Sequence, residues 1–265
     1  MTSLHILGSG SKGNCFALRA GDDVLLLDAG FSAREVGRRA EAVGLSLSAV
    51  RGIVLTHEHG DHAAGAIRLA RQLGVPVAAS TGTWNALRQD DPVPHAPLRG
   101  GASTLLGAFR VESALSSHDA AEPVAIAVTC PDGTRVGVAY DLGRPTTAVR
   151  FLLRNCHALV VEANHDEVLL RTSGYPPSVQ QRIAGSGGHL SNDAAAELLT
   201  GLLHHQLELV VLAHLSARCN TAECARAVVE PALRREGFLG RLEIAGQEPL
   251  TGALGITRAA GVLAS

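Results

Sequence analysis

The stretch GIVLTHEHGDH, Gly52 to His62, runs from an apolar segment straight into three histidines and two acids within seven positions, 56 to 62. Its apolar half reads as a strand candidate, which places the polar half in the loop at the strand's end. His57 and His59 stand two apart, Asp61 and His62 are adjacent, and Gly60 makes the turn between the pairs easy. One pair can therefore face one way and the second pair another. Imidazole nitrogens and a carboxylate suit divalent zinc, manganese or iron. Four such ligands are more than one open catalytic ion would take from a single loop, whereas two neighbouring ions would use them all. The helical zinc motif HExxH fails, because the residue three past Glu58 is Asp61, and Glu58 is expected to point away from the metals.

Outward from this loop the same pattern recurs. Runs rich in Val, Ile and Leu at 4–7, 15–19, 24–27, 53–55, 109–115, 124–129, 135–140, 158–161 and 208–213 are strand candidates. Helical spacing appears at 32–43, 62–73, 146–154, 191–203 and 221–235, with Ser191 as an N-cap. The class is α/β. Just past strand ends stand Asp28, His57, His118, Asp141, Glu162 and His214, the places where α/β proteins build sites. A lone strand-end His or Asp is ordinarily structural, but the 56–62 loop creates a demand for distant ligands. His118 then completes the first ion, His214 the second, and Asp141 bridges. Asp28 is either an acid that orients a metal histidine or a turn residue before Ala29-Gly30.

Composition bounds the rest. The 265 residues carry a net charge of -2 and only 3% aromatics, so no general pull toward nucleic acid and few stacking platforms are expected. Arg34, Arg38 and Arg39 form either a local basic patch or a solvated helix face. No apolar run approaches a membrane span and MTSLHILGSGSKGN lacks a basic n-region and an apolar h-region, so a soluble, unexported chain is expected. Five cysteines without a CxxC pair point to reduced thiols and a cytoplasmic setting. With no repeat of fixed period and no long linker, residues 1–265 are expected to form one unit. Pro92, Pro94 and Pro97 mark a loop near the middle.

GSGSKGN at 8–14, LLLDAG at 25–30, THEHGDHAAG at 56–65, SHDA at 117–120, YDLG at 140–143, VEANHD at 161–166, GHLSN at 188–192 and LAHLS at 212–216 together resemble the metallo-β-lactamase-fold hydrolases, and more narrowly the YycJ (WalJ) family. The resemblance spans most of the chain. It implies an αββα four-layer sandwich with a binuclear site at one rim, holding two divalent ions, zinc or manganese, on His57, His59, Asp61, His62, His118, Asp141 and His214. By similarity to transfer-RNA 3′-processing nucleases of this fold, Glu162 and His189 would pair to donate a proton to the leaving group. No arm-like insertion and no inserted second domain is present, which lowers the RNA-processing readings.

What the resemblance implies is a metal-dependent hydrolase of DNA, an exonuclease acting from the 5′ end with a repair role. A cyclic or other small-molecule phosphodiesterase is the alternative, followed by an ester hydrolase and by a non-catalytic metal-binding signalling protein. Lys12, the one lysine of the chain, sits in a glycine-rich loop with Ser11 and Asn14, where backbone N–H groups and the ammonium could meet a substrate phosphate. That loop reads equally as a plain turn. His165 and Asp166 are chemically capable but have no role in this scheme.

Overall fold

A computed structural model of the protein describes residues 1–87, 92–249 and 252–257. The chain first lays down β1 (Thr2–Gly8), β2 (Cys15–Ala20), β3 (Asp23–Leu27), β4 (Val50–Val54), β5 (Val77–Ala79) and β6 (His95–Pro97). It then builds a second sheet from β7 (Ser103–Leu106), β8 (Phe109–Leu115), β9 (Val124–Thr129), β10 (Arg135–Ala139), β11 (Ala158–Glu162), β12 (Leu209–Ala213) and β13 (Arg241–Ile244), and returns to the first with β14 (Leu254–Ile256). The helices are α1 (Ala33–Ala42), α2 (Gly60–Ala63), α3 (Ala66–Leu73), α4 (Thr81–Ala86), α5 (Thr147–Leu152), α6 (Glu167–Thr172), α7 (Pro177–Ala184), α8 (Asn192–Thr200) and α9 (Ala222–Arg235).

Both sheets have seven strands, in the orders β14-β1-β2-β3-β4-β5-β6 and β13-β12-β11-β10-β9-β8-β7. In the first, β14 to β3 pair antiparallel and β3 to β6 parallel. In the second, β7 to β10 pair antiparallel and β10 to β13 parallel. The architecture repeats although the sequence does not.

Alternation within the apolar runs explains the layers, since successive strand side chains point to opposite faces. Leu25 and Leu27 enter the core between the sheets with Phe16, Val111, Ile126, Val138 and Val211. Leu26 points outward and packs with Val36 and Ala40 of α1 and Leu69 of α3. Leu159 and Val161 of β11 likewise face α5, α8 and α9 through Leu152, Leu198 and Val229. Strands covered on both faces must read as continuous Val, Ile and Leu, so the central ones are recognisable from sequence. The result is the expected αββα sandwich.

Two departures have physical causes. The expected helix at 62–73 is divided into α2 and α3, because Gly65 N–H donates to the Ala29 carbonyl at 2.9 Å instead of to the preceding turn; glycine is needed there, since a Cβ would lie 2.0 Å from the Phe31 carbonyl oxygen. The strands β5, β6, β7, β13 and β14 have only three or four residues each, too few for a period to show. Pro97, expected in a loop, closes β6, an outermost strand where a missing N–H is tolerated.

Candidate metal centre

The site lies at the rim where the C-terminal ends of β3, β4, β10, β11 and β12 meet. Three of its acids and histidines sit in left-handed backbone, Asp28 at φ 58°, Asp141 at φ 50° and His214 at φ 54°, a conformation uncommon outside glycine. Each ends a strand by turning the chain sharply, so its side chain stands at the rim. Gly30 completes the turn after β3. A Cβ there would lie 1.8 Å from the Asp61 carbonyl oxygen, so only glycine lets the DAG turn support the 56–62 loop at this distance.

The structure brings seven of the expected residues together. Ligand-capable atoms of His57, His59 and His118 all lie within 4.8 Å of one another, and so do those of Asp61, His62 and His214. The Asp141 carboxylate reaches both groups, 3.8 Å from His57 Nε2, 3.9 Å from His118 Nε2 and 2.7 Å from His62 Nε2. The donor set fits divalent cations. His57 Nε2 and Asp141 Oδ2 are buried without a hydrogen-bond partner, and such orphaned atoms are rare unless something else satisfies them.

Supporting contacts fix the rings. The Asp28 carboxylate, fully buried, accepts from Thr56 N–H at 2.8 Å and the Thr56 hydroxyl at 2.8 Å, and lies 2.6 Å from His62 Nδ1. Holding one nitrogen of a histidine this way turns the other toward a metal. His118 Nδ1 lies 3.2 Å from the Gly188 carbonyl oxygen, with the same consequence. Glu58 turns away, accepting from Ala121 N–H at 2.7 Å and the Thr83 hydroxyl at 3.4 Å.

Glu162, fully buried at the end of β11, accepts from Leu142 N–H and Leu190 N–H, each at 3.0 Å. Its other oxygen lies 2.7 Å from His189 Nδ1 and 3.0 Å from His214 Nδ1. Burial favours the neutral acid, but the facing imidazolium of His189 wins and draws the Glu162 carboxyl down to about 2. Burial opposes charge on His189 as well, and there Glu162 and Asp141 prevail, raising it to about 11. His214 is raised to about 9 against its own burial, by Asp141, Asp61 and Glu162. His57 goes the other way: burial and the nearby His62 lower it well below its usual value, which leaves its nitrogen free to ligate.

Within the GSGSKGN loop, Asn14 departs from the expected substrate-facing position. Asn14 is fully buried and points inward, its side chain bonding the Ser9 hydroxyl at 2.8 Å and Gly10 N–H at 2.9 Å and lying 3.1 Å from His62 Nε2. The Ser9 hydroxyl in turn accepts from His214 N–H at 2.9 Å. Burial keeps Asn14 from the opening; it braces the ligand segments of both sheets. Ser11 borders the cleft over the site, and Lys12 borders an adjoining groove with Ser11 and Ser216. Arg39 is neither part of a basic patch nor on a solvated helix face. It is buried, stacks 4.0 Å over Phe31, and donates to the Leu7 and Gln247 carbonyls at 2.8 and 2.7 Å.

The cleft over the site, about 280 Å³, exposes Asp61, His118, Asp141, His189 and His214 on its floor. Sequence reading missed Asp119, Tyr175 and Arg182 in its wall. Arg182 donates to Asp119 at 2.6 and 2.8 Å, and Arg218 lies 4.4 Å over the Tyr175 ring. Asp119 was readable as the neighbour of His118 in SHDA. Val179, Arg182 and Ile183 lie on α7, which has no buried residue and so no apolar stripe to find. All five cysteines are free thiols. No helix among the described residues is long and apolar enough to cross a membrane.

Known proteins agree with this geometry. The sequence pattern of the metallo-beta-lactamase superfamily matches residues 8–149. The chain is 34% identical over 237 residues to the exodeoxyribonuclease YycJ of Bacillus anthracis, covering 88% of this chain and 89% of that protein. It is 33% identical over 227 residues to the exodeoxyribonuclease WalJ of Streptococcus pneumoniae, covering 83% and 84%. Among solved structures, the metallo-beta-lactamase fold protein YhfI from Bacillus subtilis superposes with a TM-score of 0.70 at 17% identity over 93% of this chain and 97% of that one, a likeness of fold alone. Taken with the two ligand triplets at the rim, these matches make the chain a metal-dependent hydrolase that belongs to the metallo-beta-lactamase superfamily and, within it, to the YycJ/WalJ family.

Proposed function

We propose that the protein hydrolyses phosphodiester bonds of DNA as an exonuclease, working from the 5′ end in repair within the cytoplasm. The observation that carries this reading is the pair of ligand triplets, His57-His59-His118 and Asp61-His62-His214, meeting on either side of Asp141. In this assignment these seven residues hold two divalent ions, zinc or manganese. Such ions would supply Lewis acidity toward phosphoryl oxygens and lower the pKa of water.

The chain's own residues do the remaining work. His189, kept protonated by Glu162, stands in the cleft wall and gives its proton to the departing oxygen, a general-acid step worth on the order of a hundredfold. Asp28 positions His62 from behind through Nδ1, and Asn14 borders the ring at its Nε2 edge. Ser11, with Lys12 beside it, contacts the strand as it leaves the cleft. Arg218, stacked on the Tyr175 ring at the cleft wall, adds positive charge that favours a nucleic acid, while Arg182 is offset by Asp119. The names of the curated relatives support DNA over RNA. A small-molecule diesterase is the second reading, favoured by the net charge of -2 and by the cleft's modest 280 Å³.

The test is to incubate zinc- and manganese-loaded protein with end-labelled DNA, end-labelled RNA and a generic phosphodiester, beside an Asp61→Ala control. Mononucleotides released from the 5′ end of DNA, absent in the control, are expected. Cleavage of the generic diester without DNA would favour the second reading, and no product from any diester by fully metallated protein would end both.

A further inference from the structure

We propose that a second cleft, behind His189, is the subsite for the 5′-terminal nucleotide of the strand, which departs when the bond is cut. The inference rests on the nuclease reading. This cleft, about 340 Å³, is bordered by Gly143, His165, Leu170, Arg171, His189 and Leu190, and its size falls within the roughly 300–1,000 Å³ range of small-ligand sites. His189 lines both clefts, so the proposed proton donor forms the wall between them.

The lining matches one nucleotide. Leu170 and Leu190, 4% and 1% exposed, give an apolar floor for a base or sugar. His165 is 2% exposed and its Nδ1 is buried without a hydrogen-bond partner. A buried ring nitrogen left so is costly unless a ligand or water completes it. Arg171 on α6 is exposed and has no ion pair among the described residues, which leaves its guanidinium for a terminal phosphate. Ser191 and Ala194, from the start of the nine-residue α8, add the positive end of a helix dipole. Glu167 stands on the same rim and offsets part of that charge. A mixed lining of this kind suits a nucleotide, with one phosphate and a ring bearing polar edges, better than a bare polyanion.

The position sets the direction of the strand. Water's oxygen bonds to the scissile phosphorus, the bond from phosphorus to the 3′ oxygen of the terminal nucleotide breaks, and that oxygen takes the His189 proton. The group behind His189 is therefore the one attached to the departing oxygen, namely the terminal nucleotide with its 5′ phosphate. The remaining strand acquires a new 5′ phosphate and leaves past Ser11 and Ser216, which are shared with the Lys12 groove on another side of the first cleft. The His165 of VEANHD, outside the metal scheme, gains a role.

Two measurements decide it. With zinc-loaded enzyme, rates on matched oligonucleotides with a 5′ phosphate and with a 5′ hydroxyl give an end preference; about tenfold or more in favour of the phosphate is expected, from charge-assisted hydrogen bonds, and Arg171→Gln should bring the ratio close to one. In parallel, titrating a nucleoside 5′-monophosphate into the zinc-loaded protein should shift the His165 ring nitrogen resonance and bind several-fold more weakly to Arg171→Gln. Equal rates on both ends, or an end preference untouched by Arg171→Gln, would overturn the subsite while leaving DNA cleavage intact. If no diester were cleaved, the nuclease reading would fall, and the nucleotide titration would still decide the cleft: a silent His165 resonance overturns it. His165→Ala is a poorer probe because its burial puts folding at risk.

Discussion

The two sheets share one plan and use it differently. Each has three antiparallel pairings and then three parallel ones, and in each the strand between these halves, β3 or β10, is followed within two residues by an aspartate with left-handed backbone. Asp28 spends its oxygens on Thr56 and His62, behind the site. Asp141 spends its own at the front, among His57, His62, His118, His189 and His214. The same backbone device thus yields a support in one sheet and a bridge in the other. The difference arises in the parallel half of each sheet: β4 leads into a loop carrying four ligand candidates, whereas β11 and β12 each deliver one side chain, Glu162 and His214.

If that division is right, asparagine at the two aspartates should have unequal consequences, since asparagine keeps the shape and tolerates the left-handed backbone. Asp141→Asn is expected to have the largest effect, a loss of more than about a hundredfold in activity and of metal stoichiometry, beyond the roughly 10–100-fold typical of supporting residues. Elemental analysis of the purified variant checks it. His189→Ala, on the second-sheet side, should slow turnover by about a hundredfold while metal content stays unchanged; a variant that lost its metals would move His189 among the ligands. Asp28→Asn should fall within the roughly 10–100-fold range in metal affinity. Equal losses for Asp28→Asn and Asp141→Asn would erase the distinction between support and bridge.

On stability the comparison sharpens at Gly30. A methyl there meets the Asp61 backbone, so Gly30→Ala should cost about 1–3 kcal/mol or more in urea unfolding and disturb the first-sheet ligands. The smallest effect concerns α1. Hydrogen bonding from Arg38, and then Arg39, outweighs the slight burial of Glu35 and holds its carboxyl at about 2, below its ordinary 4.5. A depressed carboxylate stabilises fully above the unfolded value and loses that contribution as pH falls from about 4.5 to about 2. Thermal melts across this window should therefore show a small acid-dependent loss, absent in Glu35→Gln.

The same asymmetry governs how much could be read in advance. The first-sheet half of the site is local: His57, His59, Asp61 and His62 lie within one loop, behind a short run of Ile, Val and Leu that marks the strand. The second-sheet half is one residue per strand end: His118, Asp141 and His214 become ligand candidates only through the demand set up by the loop, and Glu162 gains its role only through the resemblance. His189 entered by resemblance alone. The GSGSKGN loop was noticed for its glycines, yet Asn14 faces inward, which a glycine-rich pattern does not encode.

Strand periodicity, the metal-binding character of the 56–62 loop and the α/β class were thus set by residue order itself, because each depends on neighbours a few positions apart. The tertiary structure alone decided which rim gathers the distant side chains, that Asp28 stands behind His62 while Asp141 stands before it, that Arg39 is buried under the first loop, and that α7 walls the cleft. These depend on contacts between residues far apart in the chain, where burial and packing rather than local preference select the partner.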